Sequence, residues 1–576
     1  MRCVSKNLQD YTKEELIEQI QSLKKAKKFG LVWEDKPEQV AIDCETKLPV
    51  LQEVADRAIT KADDQPTNLI IEGDNYHSLS TLNYTHAGKI DVIYIDPPYN
   101  TGNKDFIYND HYIDREDTFR HSKWLSFMSK RLSLAKTLLS DDGVMFISIG
   151  EDEYAQLKLL CDQIFGEQNY ITNFLWEKTQ HFGRQKVNFY SNGDFILCYA
   201  KRLKSGDGLR ELLVEYQKSE FEDAPLYNAS NPVADLVFPA NTVKFNIADG
   251  KYSETTDDKY KLLTPVTVKN GLNKNDLKLR FRSRWSAGKV LSEATIGTTY
   301  WVKSQKFAIR AIYADGKTSN ESPKQILFTN KNNEFVAKSR VGTKVGTNEE
   351  ASSELRTLVG DQDVFNYPKP VSLIEYLLSL YFRSGEHPKN ATILDFFAGS
   401  GTTGQAVLSL NKKDKGKRQF ILCTNNEGGI AENVTYRRIN KVTEHLPANV
   451  SYFKTDFVDK ADTTDQTRVA LVARATDMIK IRENTFGAIT EKPLYKIYAS
   501  ADAYAAIIFD PSVIDQAKAE LAKLPADKPV NVYVFSLAND SFESDFADMD
   551  RTMNLCPIPE SILEVYKRIF TEGSKK

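Results

Sequence analysis

Three features of the sequence predict a doubly wound α/β sheet, interrupted by a β-rich insert and followed by a small α/β domain. Short apolar runs of strand length alternate with amphipathic helical stretches before residue 204, the pattern of a parallel sheet with crossover helices. The alternation lapses between 205 and 360, where segments are short and Asn, Gly, Lys and Thr are frequent, and then resumes. Two of the predicted strands end in loops rich in proline or glycine, at the strand ends where open parallel sheets bind ligands. The implied divisions are an N-terminal helical segment (1–60), a first core half (61–204), the insert (205–360), a second core half (361–450) and a C-terminal α/β domain (451–576).

Each element has its own justification. Lys13 to Lys28 has Leu16, Ile20 and Leu23 at helical spacing, with Thr12 and Glu15 as a capping box. Asn68 to Asp74 and Asp91 to Asp96 are apolar runs closed by turns, the length of buried strands. Trp124 to Leu139 has a helical stripe of Leu125, Met128, Leu132, Ala135 and Leu139, and Asp142-Gly143 turns it into the strand Val144 to Ile149. Glu151 to Phe165 is helical, and Asn173 to Trp176 and Asp194 to Tyr199 are strands. After the insert come a helix from Ser372 to Phe382 and strands at Thr392 to Asp395 and Phe420 to Cys423. The tail has strands at Tyr504 to Phe509 and Val530 to Ser536.

Composition narrows the class. The 576 residues are 41% hydrophobic and 27% charged, values of a folded globular chain. No window approaches the roughly 18 apolar residues of a membrane span, and the N-terminus has no apolar signal core, so a cytoplasmic protein without a membrane partner is expected. Six cysteines form no CxxC pair and the histidines show no ligand spacing, so no metal site is expected. The net charge of −3 excludes a uniformly basic nucleic-acid coat. Yet Gly271 to Arg310 alone carries a charge of +7, a local patch for which phosphate is the natural counter-charge.

Two loops carry chemistry. In Asp395-Phe-Phe-Ala-Gly-Ser-Gly401, glycines after a strand let backbone approach a ligand closely, and Asp395 offers a carboxylate to a cationic group. Gln405 stands where a phosphate-binding loop needs lysine. Glu427, after the next strand, is placed to bind two ribose hydroxyls. In Asp96-Pro97-Pro98-Tyr99 the prolines fix the backbone and leave carbonyls free to accept. A carboxylate beside a rigid carbonyl accepts both hydrogens of an exocyclic amine, and Tyr99 offers a stacking face.

Asp96 to Tyr99 and Phe397 to Gly401 resemble the catalytic and S-adenosylmethionine motifs of amino-methylating DNA methyltransferases, in the β-class order with the catalytic motif first. The chain is more similar still to the modification (Mod) subunits of Type III restriction–modification systems, through Lys28 to Pro37, Glu72 to Asn75, Phe365 to Pro370 and Ile479 to Phe486. One departure is Ser191-Asn-Gly-Asp194, where the family often has a His-Glu pair. The resemblance implies a methyltransferase sheet with S-adenosylmethionine as cofactor. Its site would draw on Asp395, Phe397, Gly399 and Gly401, on Glu427 at the ribose and on Asp74 near the adenine, with Lys369 and Pro370 against the methionine end. It further implies double-stranded DNA as substrate, a homodimer, and a separate nuclease–helicase restriction subunit.

An acidic first position in the catalytic motif resembles the adenine-N6 group more than the cytosine-N4 group. Asp96 and the Pro97 carbonyl would accept from the amine of a flipped-out base stacked on Tyr99. Lys278, Arg280, Arg282 and Arg284 recur at period two, so in a strand they share one face for phosphates or base edges while Leu279 and Phe281 pack inward. His181, near Trp176, is placed to lie beside the base, although a lone loop histidine is ordinarily incidental. A stand-alone enzyme, a cytosine-N4 enzyme and a recognition scaffold for a nuclease remain as alternatives.

Overall fold

The computed structural model describes residues 12–13, 31–62, 65–103, 105–109, 111–179, 191–203, 214–217, 223–312, 318–321, 325–327, 345–360, 365, 367–382, 389–461, 463–537 and 540–572. Beyond its first residue, the helix expected from Lys13 to Lys28 lies outside them, as does His181. The chain divides into two compact units, one formed by 1–211, 324–333 and 343–576 and the other by 212–323 and 334–342.

The first unit is built on a ten-stranded sheet. Its strands are β1 (Lys47–Glu53), β2 (Thr67–Glu72), β3 (Ile90–Ile95), β4 (Leu139–Ile149), β5 (Tyr170–Glu177), β6 (Gly193–Ala200), β7 (Ile326–Leu327), β8 (Thr392–Asp395), β9 (Gln419–Thr424) and β10 (Asn449–Asp459). They run in the order β1-β10-β2-β9-β8-β3-β4-β6-β5-β7, and the six from β10 to β4 are mutually parallel. Parallel strands covered on both faces are apolar throughout, and in β3 Ile90, Val92, Ile93, Tyr94 and Ile95 are all buried.

The chain moves outward one way from β3 to β4 and the other way from β8 to β9. The order therefore reverses between β8 and β3, where Ile393 pairs with Val92 and Leu394 with Ile93. A crevice opens beyond the carboxyl ends at such a reversal.

Helices α1 (Asn75–Thr85), α2 (Arg120–Leu138) and α3 (Tyr154–Phe165) cover one face, sharing a core with Ile71, Ile93, Ile95, Ile147 and Leu394. The predicted stripe of α2 is buried, and Arg131 is buried with it. α4 (Asn348–Val359), within the stretch read from sequence as insert, belongs to this unit. α5 (Val371–Phe382) and α6 (Thr402–Asp414) pack on each other, and Gly404 brings α6 against Phe420 and Leu422 on the second face.

β10 also lies in this sheet, between β1 and β2, although residues from 451 onward read from sequence as a separate tail. A five-stranded sheet of β11 (Gly487–Glu491), β12 (Tyr495–Ala499), β13 (Tyr504–Ile508), β14 (Val530–Phe535) and β15 (Met553–Ile558) follows. Tyr498, Ile507, Tyr533 and Ile558 from its strands, and Ile562 and Tyr566 after them, join the same core as α1.

The second unit is β-rich. It holds a seven-stranded sheet, a three-stranded sheet of Val233–Phe238, Leu277–Arg282 and Lys261–Leu262, and the helix Ala287–Thr295. Leu236, Phe238, Leu277, Leu279, Phe281, Tyr300 and Ile309 lie in its separate core.

Candidate active site

The catalytic-loop candidates begin where β3 ends. Pro97 and Pro98 stop the ladder, and the Pro98 carbonyl accepts from Trp124 Nε1 on α2 at 2.7 Å. Among the described residues no group donates to the Pro97 carbonyl, and Pro97 lines an open cleft of about 1960 Å³. Tyr99 turns its ring over Gly150, where a Cβ would lie only 2.7 Å from Tyr99 Cδ2. Tyr99 donates its hydroxyl to Asp96 Oδ1 at 3.1 Å. Burial, then the Asp96 carboxylate, push the phenol well above its ordinary range and keep it a donor.

The other Asp96 oxygen is taken by a residue 273 positions away. Lys369 Nζ lies 2.5 Å from Asp96 Oδ2, with Tyr99 and Trp176 rings 5.3 and 5.9 Å from the ammonium. Lys369 is 8% exposed, so its charge is stabilised by this carboxylate and two aromatic faces. Pro370, predicted beside it, starts α5 by accepting from Leu373 N at 3.1 Å and does not line the cleft.

Behind the loop, Asn100 takes a left-handed conformation (φ 58°). Its side chain donates to Glu153 Oε1 at 2.5 Å, and that oxygen also meets His121 Nδ1 at 2.7 Å. Burial raises the Glu153 pKa. The sequence carried no signal for Trp124, Glu153 or His121, because their roles exist only through contacts with the loop.

The glycine loop follows β8. Asp395 is turned into its own loop, accepting from Phe397 N at 3.0 Å and Thr403 Oγ1 at 2.5 Å, and is 3% exposed. The carboxylate expected to face a cationic ligand group instead shapes the turn. Burial pushes its pKa up to about 7, against the pull of those two hydrogen bonds and with a smaller push from Asp96. Gly399 (φ 48°) admits the Phe365 ring, which would lie 2.8 Å from a Cβ, and Gly401 (φ 77°) turns the chain into α6. Buried Arg438, unforeseen in the sequence, braces the loop from beneath through Ser400 Oγ (3.1 Å), Thr402 Oγ1 (2.8 Å) and Gln405 Oε1 (2.8 Å).

Asp74 caps α1 through Tyr76 N at 2.7 Å and is held by Arg131 at 3.2 Å. Its neighbour Asn75 donates to the Phe396 carbonyl at 3.1 Å, joining α1 to the glycine loop. Glu427 is exposed on the rim. Asp74, Asp96 to Tyr99, Lys369, Asp395, Phe397, Gly399 and Glu427 line one cleft; Gly401 does not line it. The two loops, nearly 300 residues apart in the chain, face each other across the β3–β8 reversal.

In the second unit the predicted basic face forms. Arg280 and Arg282 are exposed and Lys278 half-buried, while Leu279 and Phe281 are buried; Arg284 is exposed just past the strand. Arg280 does not stand open, because its guanidinium grips Asp235 at 2.5 and 2.7 Å. Arg282 donates to the Asn231 carbonyl at 2.9 Å.

The DNA methylase family matches the chain over residues 90–432, more than half its length and the span that holds both loops. The chain belongs to the DNA methylase family. This methylase is 32% identical to the Type III restriction-modification enzyme StyLTI Mod subunit of Salmonella typhimurium, over 67% of its own length and 57% of the relative's. It is 30% identical to the EcoPI Mod subunit of Escherichia phage P1, over 66% and 61%. With the Type II methyltransferase M.KpnI of Klebsiella pneumoniae it shares 30% identity over 69% of its length and 90% of the relative's. The methylase thus spans about three-fifths of the Mod subunits it matches.

The cleft fits S-adenosylmethionine by its donor set. Lys369 supplies a cation for a carboxylate and Glu427 an acceptor for hydroxyls. The glycine loop suits a phosphate poorly, because Asp395 stands at its start and it has no lysine.

Proposed function

We propose that this methylase transfers a methyl group from S-adenosylmethionine to adenine N6 in specific duplex sites, as the modification and recognition subunit of a Type III restriction system. The observation that carries the reading is the meeting of Asp96, Pro97 and Tyr99 with the glycine loop in one cleft. Bound there, S-adenosylmethionine supplies an electrophilic methyl group on a sulfonium.

The chain's own residues do the rest. An aromatic amine is a weak nucleophile because its lone pair is delocalised into the ring. Asp96 and the Pro97 carbonyl accept its two hydrogens and localise that lone pair. Tyr99 stacks on the extruded base. Asp395, Arg438 and Thr435, whose hydroxyl donates to the Gly399 carbonyl at 2.6 Å, hold the glycine loop in shape, and Lys369, Glu427 and Asp74 orient the cofactor, so the reacting atoms meet aligned. Lys278, Arg282 and Arg284 contact phosphate or base edges from the insert, and Arg280 does so once it leaves Asp235. Double-stranded DNA is the substrate, the working form is a cytoplasmic homodimer, and a separate nuclease–helicase subunit joins it.

A second reading has its own support. The chain covers 90% of a Type II methyltransferase, which favours a stand-alone enzyme. Cleavage of unmodified DNA by co-purified partners separates the two.

The test is transfer of labelled methyl to DNA, followed by digestion to nucleosides. Wild type is expected to yield N6-methyladenine. Asp96→Ala should lose at least about 10³-fold in rate, the scale of a lost positioned acceptor, while still binding cofactor. Label in N4-methylcytosine would refute the adenine assignment, and no label in any base would refute the enzyme.

A further inference from the structure

The resting partner of Asp96 is itself informative. The carboxylate expected to receive the target amine has Tyr99 Oη on one oxygen and Lys369 Nζ on the other. The ammonium both occupies Oδ2 and neutralises the negative charge that the amine's hydrogens require. Lys369, 8% exposed and set between two rings, cannot let go of Asp96 without another anion. It lines the same cleft as Gly399 and Glu427, so one is available: the α-carboxylate of an adenosyl amino acid.

We propose that Lys369 is shared between two carboxylates, that of Asp96 and that of the bound methyl donor, so that donor binding releases Asp96 Oδ2 to the target base. This rests on the methyltransferase reading above. It makes Lys369 a switch that readies the amine acceptor only when a methyl group is at hand. Competition for one ammonium also means that Asp96 weakens donor binding, and coupling of this kind is reciprocal. Donor and target base therefore bind cooperatively.

The inference is tested by calorimetric titration of the full chain with S-adenosylmethionine and with its decarboxylated analogue, which keeps the sulfonium and amine but lacks the carboxylate. Asp96→Asn is expected to bind S-adenosylmethionine about ten-fold tighter than wild type, equal to about 1.4 kcal/mol, and the decarboxylated analogue unchanged. Lys369→Met should lose ten-fold or more for S-adenosylmethionine and nothing for the analogue. Thermal melting checks that both variants are folded. Equal or weaker donor binding in Asp96→Asn, or the same change for both ligands, overturns the sharing of Lys369 and leaves the methyltransferase reading standing. If wild type binds neither ligand, that reading falls and the inference with it.

Discussion

Asp395 gives the site a pH dependence whose sign follows from its burial. Its folded pKa of about 7 stands above the ordinary 3.8, so between those values the folded protein holds a proton that the unfolded chain releases. Stability from this group is present below about pH 4 and is lost as pH rises through 7, at no more than about 1.4 kcal/mol per pH unit. Asp395→Asn keeps an acceptor for Phe397 N and removes the titration. Melting temperature from pH 5 to 8 should fall more steeply for wild type than for the variant, and parallel curves would place the titrating group elsewhere. Gly150 makes a second prediction at this scale. A methyl group there meets the Tyr99 ring, a rigid neighbour with no flexible end to yield. Gly150→Ala should leave donor affinity within two-fold, because the glycine loop is untouched, and cut methyl transfer by about ten-fold or more, measured as donor titration beside single-turnover rate.

The strand Leu277–Arg282 was legible from its period of two, since Leu279 and Phe281 pack inward and Arg280 and Arg282 face out. What the sequence did not disclose is its partner strand, which brings Asp235 opposite Arg280. That pairing changes the prediction for DNA binding. Replacing Arg282 with alanine should flatten the salt dependence by roughly 0.9 in log–log slope, one phosphate contact, and replacing Arg280 should do less. Asp235→Asn opens the Arg280 guanidinium and should tighten DNA binding. Filter binding across a salt series reads all three, and an Arg282 slope equal to wild type would remove this face from the DNA contact. Helix α1 shows why some elements stay hidden. Tyr76 to Thr85 is buried almost all round, although Ser78, Ser80, Thr81, Asn83 and Thr85 are polar. Ser80 and Asn83 return hydrogen bonds to the Tyr76 and Leu79 carbonyls at 2.8 Å. A helix buried on every side by self-satisfied polar groups has no amphipathic period to read.

For the molecule as a whole, the legible part was the pairing of two loops, because each sits at the end of a parallel strand. Strand order β9-β8-β3-β4 turns a separation of some 300 residues into adjacency. Less legible were the connections that long-range packing creates, such as Lys369 on Asp96, Arg438 under the glycine loop and Arg131 between Glu38 and Asp74. None follows from local pattern, since each joins residues from different crossovers.

The core that the C-terminal sheet shares with α1 bears on how the gene tolerates damage. Helix α1, capped by Asp74 and begun by Asn75, rests against the helices Thr476–Glu483 and Glu560–Glu572, and Tyr498, Ile507, Tyr533, Ile558 and Tyr566 lie in the same core. A premature stop ahead of residue 487 would remove the sheet and the helix Glu560–Glu572, baring part of the core that α1 shares beside Asp74, although every motif residue would still be translated. Such a shortened product should be recovered from expression as aggregate, and if it stayed soluble and bound donor normally, the sheet would be an appendage after all.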